Sequence, residues 1–402
     1  MRFTARTLLF YCSLTFLLVG APIAAQSQDA FVTTWATTES EESIFIPTAP
    51  DTAYDFTIDW GDGTTESIQG VNPNPEHTYD RPGTYAVSIT GSFPHIHCDD
   101  SPVYPFGDGD PGNARKLQTI EQWGAIEWIS MEDAFAGAVH LTSNAEDTPN
   151  LSMVLTMDRM FAGATSFNSD LSDWDVSNVE RMSALFAKAP LFNSDIGAWD
   201  VSSVEDMSGM FMHAEAFNQD ISGWEVSTVT NMRTLFAQAD AFNQDISGWD
   251  VSNVQDMSGM FMNADAFDQD ISSWNVSNVT KMTAMFAGTR SFNQDIGNWN
   301  VKAVHDMRAM FAETILFNQD ISGWEVLNVS DMTRMFNRAK SFNQDLSNWR
   351  IGRVRKMSFM FSGAKSLNQD LRDWYVPSSA TAVNAFNDTP TYNLMQIPAR
   401  FQ

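Results

Sequence analysis

Aspartate returns every 25 residues through the chain, at Asp170, Asp195, Asp220, Asp245, Asp270, Asp295, Asp320, Asp345 and Asp370. If successive copies stack at strand spacing, these carboxylates form a column of like charges. Two unit charges about 4.8 Å apart repel by about 0.9 kcal/mol in water, so the column needs backbone N–H groups, cations or salt. No cofactor is expected; calcium is the cation that Asp220, Asp245, Asp270, Asp295 and Asp320 would suit, although a calcium site needs 6 to 8 converging oxygens. The plainer reading gives each Asp a turn to hold. The residue two before it, Asn in every copy except Asp268, would do the same in its own or the next copy.

Two other clusters have metal-ligand character. "FGDGDPGNAR" puts Asp108, Asp110 and Asn113 in a Gly-rich loop that resembles a calcium loop without its closing Glu, or serves as an exposed turn. "HIHCDD" offers His95, His97, Cys98 and Asp99, ligand types that zinc accepts, or a polar strand end beside a connector. Catalysis finds less. The histidines at 77, 95, 97, 140, 213 and 305 share no repeated context with Ser or Cys, and the abundant carboxylate pairs are products of the repeat. The expectation is no enzyme.

A departure from regularity is more suggestive. From Arg334 to Arg372 the chain holds nine basic residues and only two acidic ones, Asp345 and Asp370. "RIGRVRKM" replaces the usual "DVSNVxxM", so Arg350, Arg353, Arg355 and Lys356 form a basic end on an acidic chain. They would dock an acidic partner, a polysaccharide or another copy of the protein, or pair with acids of neighbouring coils.

The elements that must position these residues are repeats. Phe recurs from Phe167 to Phe342 and Trp from Trp174 to Trp374 at a constant period of 25, and "FNQDISGW" itself occurs three times. Starting each unit at its Met gives nine gapless units over 157–381, a period that indicates a solenoid. A degenerate capping unit over 119–156 and a C-terminal cap over 382–402 would cover the ends. Met207, Phe211 and Ala214 predict a short helical face, and Ile221 a brief strand. The Trp column reads as core, with an exposed sugar-binding ladder as the alternative.

Ahead of the repeats, "AYDFTIDW" and "TYAVSIT" alternate like strands of a small antiparallel sandwich over 28–97. "DWGDGTTE" (Asp59 to Glu66) followed by "HTYDRPGTYAVSIT" (His77 to Thr90) resembles the polycystic-kidney-disease (PKD) domain, an immunoglobulin-like extracellular module. That resemblance implies a spacer or binding role. Residues 98–118, rich in Pro, Gly and Asp, read as a linker.

The unit "MSGMFMHAEAFNQDISGWEVSTVTN" (Met207 to Asn231) resembles the repeat of BspA-type leucine-rich-repeat surface proteins of bacteria, and the likeness spans about 117 to 390. It implies a right-handed leucine-rich-repeat-like α/β solenoid of about ten coils, and adhesion to host proteins or other cells.

Composition bounds the rest. With 23 Lys and Arg against 50 Asp and Glu, the formal charge is −27, which disfavours nucleic acid as a partner. Residues 1–25 read as an export signal, with Arg2 and Arg6 before an apolar run and "APIAA" as the cleavage region, so the expected location is secreted or cell-surface. No later stretch approaches the roughly 20 apolar residues of a transmembrane segment. Cys12 falls in the signal and leaves Cys98 without an internal disulfide partner. The combined expectation is adhesion or interaction with an extracellular protein. The alternatives are carbohydrate or exopolysaccharide binding, for which the Trp column must face water, and a cation-stabilised surface or matrix component.

Overall fold

The computed structural model describes residues 27–98, 112–389 and 397–398. The N-terminal region is all strand: β1 (Phe31–Thr37), β2 (Glu42–Phe45), β3 (Ala53–Asp59), β4 (Thr65–Val71), β5 (Glu76–Tyr79) and β6 (Gly83–Ser92). In β3 burial alternates perfectly, with Tyr54, Phe56 and Ile58 inward and their neighbours exposed. The β3–β4 turn is held by Asp59, which accepts from Gly61 N at 2.9 Å, and Asp62, which accepts from Thr64 N at 3.0 Å. Gly61 has φ +81°, and an added Cβ would lie 2.5 Å from the Ala86 carbonyl oxygen, so no other residue fits there.

Two further strands, β7 (Leu117–Gln122) and β8 (Thr142–Ser143), tie this region to the repeats. One six-stranded sheet runs β4-β3-β6-β1-β7-β8, facing a two-stranded β2-β5 sheet. Leu117 and Gln118, expected in the connector, therefore open a strand that pairs antiparallel with β1. Beneath it the rings of Phe31, Phe93, Trp123 and Trp128 interlock at centroid distances of 5.1 to 6.4 Å, and one hydrophobic core continues from the sandwich into the coils.

The coils correct the expected α/β solenoid. Among the described residues the helical structure is one 3-10 turn, Ala114–Lys116, outside the repeats. Each coil instead carries a run of turns and a single parallel bridge residue, and the bridges link Thr156, Arg181, Asp206, Asn231, Asp256 and onward to Thr381 at 25-residue steps. The bridge falls just before each Met, so the strand expected at Ile221 is absent.

The backbone shows why no helix forms. In the third repeat, Met207, Gly209, Phe211 and His213 donate N–H to the next coil, at Asn231, Arg233, Leu235 and Ala237 carbonyls, over 2.8 to 3.1 Å. The intervening Met210, Met212 and Ala214 donate back three residues, to Met207, Gly209 and Phe211. Alternate peptides thus point along the stack and into the coil, which requires left-handed residues at the third and seventh positions. Gly209 (φ +65°) and His213 (φ +59°) supply them here, and Ala184, Thr234, Ala309 and Arg338 do so elsewhere.

A left-handed L-residue costs roughly 1–2 kcal/mol. Each coil offsets one or two of them by burying Met207, Phe211, Phe217, Ile221, Trp224, Val226 and Val229 or their equivalents. Each large apolar side chain contributes roughly 1.5–3 kcal/mol when fully buried, so the core dominates the strained residues. The i, i+4, i+7 spacing of Met207, Phe211 and Ala214 is real but belongs to these alternating turns.

Candidate functional site

The aspartate column is turn hardware. Every one of its nine carboxylates accepts the backbone N–H two residues on, for example Asp220 from Ser222, Asp245 from Ser247, Asp270 from Ser272, Asp295 from Gly297 and Asp320 from Ser322, each at 2.9 Å. The Ser222, Ser247, Ser272 and Ser322 hydroxyls and N–H groups hold Asp220, Asp245, Asp270 and Asp320 below the usual carboxylate range. The column sits on exposed turns, not on a strand face.

The Asn two residues earlier runs a ladder between coils. Asn193 Oδ1 accepts from Asn218 N, Asn218 Oδ1 from Asn243 N, and Asp268 continues the series at 2.9 Å on each side. Gln219, Gln244, Gln269 and their equivalents donate to carbonyls of the preceding coil. The most repeated polar residues are therefore spent on the scaffold.

The tryptophans are too. Trp224, Trp249 and Trp324 are 3% exposed, and each indole Nε1–H donates to an Ile carbonyl one coil back, at 3.0 to 3.1 Å. Their rings stack on one another at 6.3 to 6.5 Å inside the core. An exposed sugar ladder is thereby overturned.

The other candidates divide. Asp108 and Asp110 lie outside the described residues. Asn113 is pinned to β2, accepting from Phe45 N at 3.1 Å and donating to Phe45 O at 2.7 Å. His95 Nε2 and His97 Nδ1 converge on the Glu132 carbonyl at 2.8 and 3.2 Å, and the buried Cys98 thiol lies 3.3 Å from Ala134 O. Burial lowers the His95 pKa. Among the described residues no group of three or more His, Cys, Asp or Glu could hold a metal ion.

Arg350, Arg353, Arg355 and Lys356 are all exposed in the penultimate repeat. Arg353 reaches Asn328 Oδ1 at 2.8 Å, and Lys356 lies 3.4 Å from Asp331. The structure separates them from Arg338 and Lys340, which lie on a different column.

That second column is what sequence reasoning missed. The seventh and ninth residues of successive repeats line a groove of 640 Å³ that runs along the coils, formed by Gln238, Asn263, Glu313 and Arg338 together with Asp240, Asp265, Arg290, Ile315 and Lys340. Arg290 pairs with Asp265 at 3.2 Å and Arg338 with Glu313 at 3.1 Å. Burial, then the Asp265 and Glu215 charges, push the Asp240 carboxyl up. Within-column variability could have found the groove: the ninth position reads Thr, Pro, Glu, Asp, Asp, Arg, Ile, Lys, Lys down nine repeats whose Asp never changes.

No helix among the described residues is long and apolar enough to cross a membrane. Residues 22–94 match the PKD domain, a module typical of extracellular proteins. Residues 112–223, 215–314 and 285–397 match the family described as "Mycoplasma protein of unknown function, DUF285". The resemblance to BspA-type leucine-rich-repeat proteins finds no support in a family match, in keeping with coils that lack helices. Neither a curated protein nor a solved structure matches the chain. With matches that span well over half of its length, the chain belongs to the DUF285 family and carries a PKD domain ahead of the family's repeats.

Proposed function

We propose that this is a non-enzymatic extracellular interaction or adhesion protein, in which the coil stack presents variable outer columns to a protein partner and the sandwich serves as its base. The observation that carries the reading is the division of labour within each repeat. Residues that recur are buried or spent on turns and ladders, as Trp249, Asn243 and Asp245 are, whereas residues that vary line the exposed groove from Asp240 to Lys340. An invariant scaffold with variable facing residues is how a solenoid builds an extended binding surface. Arg350, Arg353, Arg355 and Lys356 form a second contact face at the basic end, suited to an acidic protein or anionic polysaccharide.

The test is capture of extracellular proteins, with a glycan array in parallel, on immobilised residues 26–402. Capture should weaken when Arg353, Arg355 and Lys356 are changed together to Gln, or when Asp265, Arg290 and Lys340 are. Loss of neither, with the Asp245→Asn variant behaving the same, would remove both faces from the proposal.

A further inference from the structure

We infer that the groove column is self-complementary and that the protein pairs with a second copy of itself, antiparallel, through the ninth-position residues. The column is sorted by charge along the stack. Glu215, Asp240 and Asp265 occupy three consecutive coils, and Arg290, Lys340 and Lys365 follow on later ones, with Ile315 between. Backbone bonds keep the acidic residues in register, because Ala241 N donates to Glu215 O and Ala266 N to Asp240 O, each at 3.1 Å. Five coils of this column, Asp240 to Lys340, already share one groove.

A two-fold axis through the coil of Arg290 places Asp240 opposite Lys340 of the other copy and Glu215 opposite Lys365, and the same contacts recur on the other side of the axis. Arg290 would meet its own counterpart there, but its charge is already met by Asp265 at 3.2 Å. Leu316, half-exposed beside Ile315, gives the face apolar area near the centre. A parallel pairing would set acid against acid and base against base, so the orientation is fixed by charge.

The net charge of −27 opposes self-association in general. Salt decides between the two effects: at about 0.15 M the screening length is about 8 Å, so the diffuse repulsion of the two chains is damped while charges in contact are not. The acidic end also gains, since Asp240 sits beside Glu215 and Asp265, whose repulsion a facing lysine relieves.

The test uses residues 26–402 and two charge-swapped variants, one with Glu215→Lys and Asp240→Lys, the other with Lys340→Glu and Lys365→Glu. Sedimentation velocity at about 0.15 M salt should show a concentration-dependent dimer for the parent that dissociates toward about 1 M. Each variant alone should self-associate at least about tenfold more weakly, because its facing pairs, 240 with 340 and 215 with 365, then carry like charges. Mixing the two should restore a dimer, which a merely misfolded variant could not do. A parent that stays monomeric, variants that dimerise like the parent, or variants that associate no better mixed than apart would each overturn the pairing. So would a basic column that takes up heparin-like polyanion while the parent remains monomeric throughout.

Discussion

The sandwich and the coil stack solve the same burial problem with opposite economies of information. In the sandwich each core residue is unique: Tyr79 OH donates to Trp60 O at 2.8 Å, Tyr54 OH to His95 O at 2.6 Å, and neither contact recurs. In the stack one solution is repeated, and Phe217, Phe242 and Phe267 lie 6.0 to 6.1 Å apart in the same pose. A unique core fails as a whole when one member is lost. A repeated core is a chain of nearest-neighbour terms, and damage in it should stay local.

The largest expected effect breaks that contrast most directly. Trp60→Ala and Trp249→Ala each remove a buried indole, at a cost of about 3–5 kcal/mol. Hydrogen exchange after Trp60→Ala should rise across the sandwich, whereas Trp249→Ala should loosen the coils next to it and spare the distant ones. Uniform loss of protection in both variants would show that the stack, too, unfolds as one unit.

A smaller effect sharpens the comparison at the backbone. Ala309 is left-handed (φ +53°), so Ala309→Gly should stabilise by about 1 kcal/mol, contrary to the usual cost of glycine. Gly288→Ala should destabilise instead, because Gly288 is itself left-handed (φ +76°) and its new Cβ would displace the Asn263 side chain. Urea midpoints for the two variants give both signs in one experiment.

The smallest effects per residue come from acid. Asp220, Asp245, Asp270 and Asp320 have lowered pKa values in the fold, so the unfolded chain takes up protons first. Their contribution is complete above about pH 4 and is lost as pH falls through the folded values. Asp240 and Asp158, raised mainly by burial, act in the opposite direction: the fold binds their protons first, so acid favours it at those two sites. In the sandwich, Glu42 is partly desolvated, yet the Lys116 ammonium and the Thr38 and Glu39 N–H groups bring it down to about 2, and its contribution is lost only as pH falls toward that value. Melting temperatures of the parent, Asp245→Asn and Glu42→Gln between about pH 5 and 2 should show the gap between each variant and the parent narrowing as pH falls. An unchanged gap for Asp245→Asn down to about pH 2 would mean that its carboxylate does not titrate with unfolding.

The period, the stacking residues and the N-terminal module were legible because burial and turn chemistry write them in residue types. Phe and Trp recur because each coil offers the same pocket, and the turn of "DWGDGTTE" needs its Asp and Gly residues. The helix was misread because Met207, Phe211 and Ala214 satisfy its spacing, while the signal against it is weak. Left-handed positions in the coils are held by residues such as Ala184, Thr234, Arg334 and Lys188 more often than by glycine, so residue type does not announce them. The strand at Ile221 was misplaced for a related reason: the inter-coil bridge uses polar residues such as Asp206 and Asn231, which carry no strand propensity. The candidate site was read in inverse order. Invariant Asp drew attention as chemistry, but invariance within a repeat marks what stacking demands, and the groove is formed where the columns change.

The hydrogen bonds that leave Met207, Gly209, Phe211 and His213 run along the stack, from one coil to the next. A pull on the two ends of the rod therefore loads each coil's bonds lengthwise and peels coils one after another. Every release pays out 25 residues, about 85 Å of slack, before the next coil bears tension. A tether built this way would lengthen in equal increments under load and regain its length coil by coil when the load is removed.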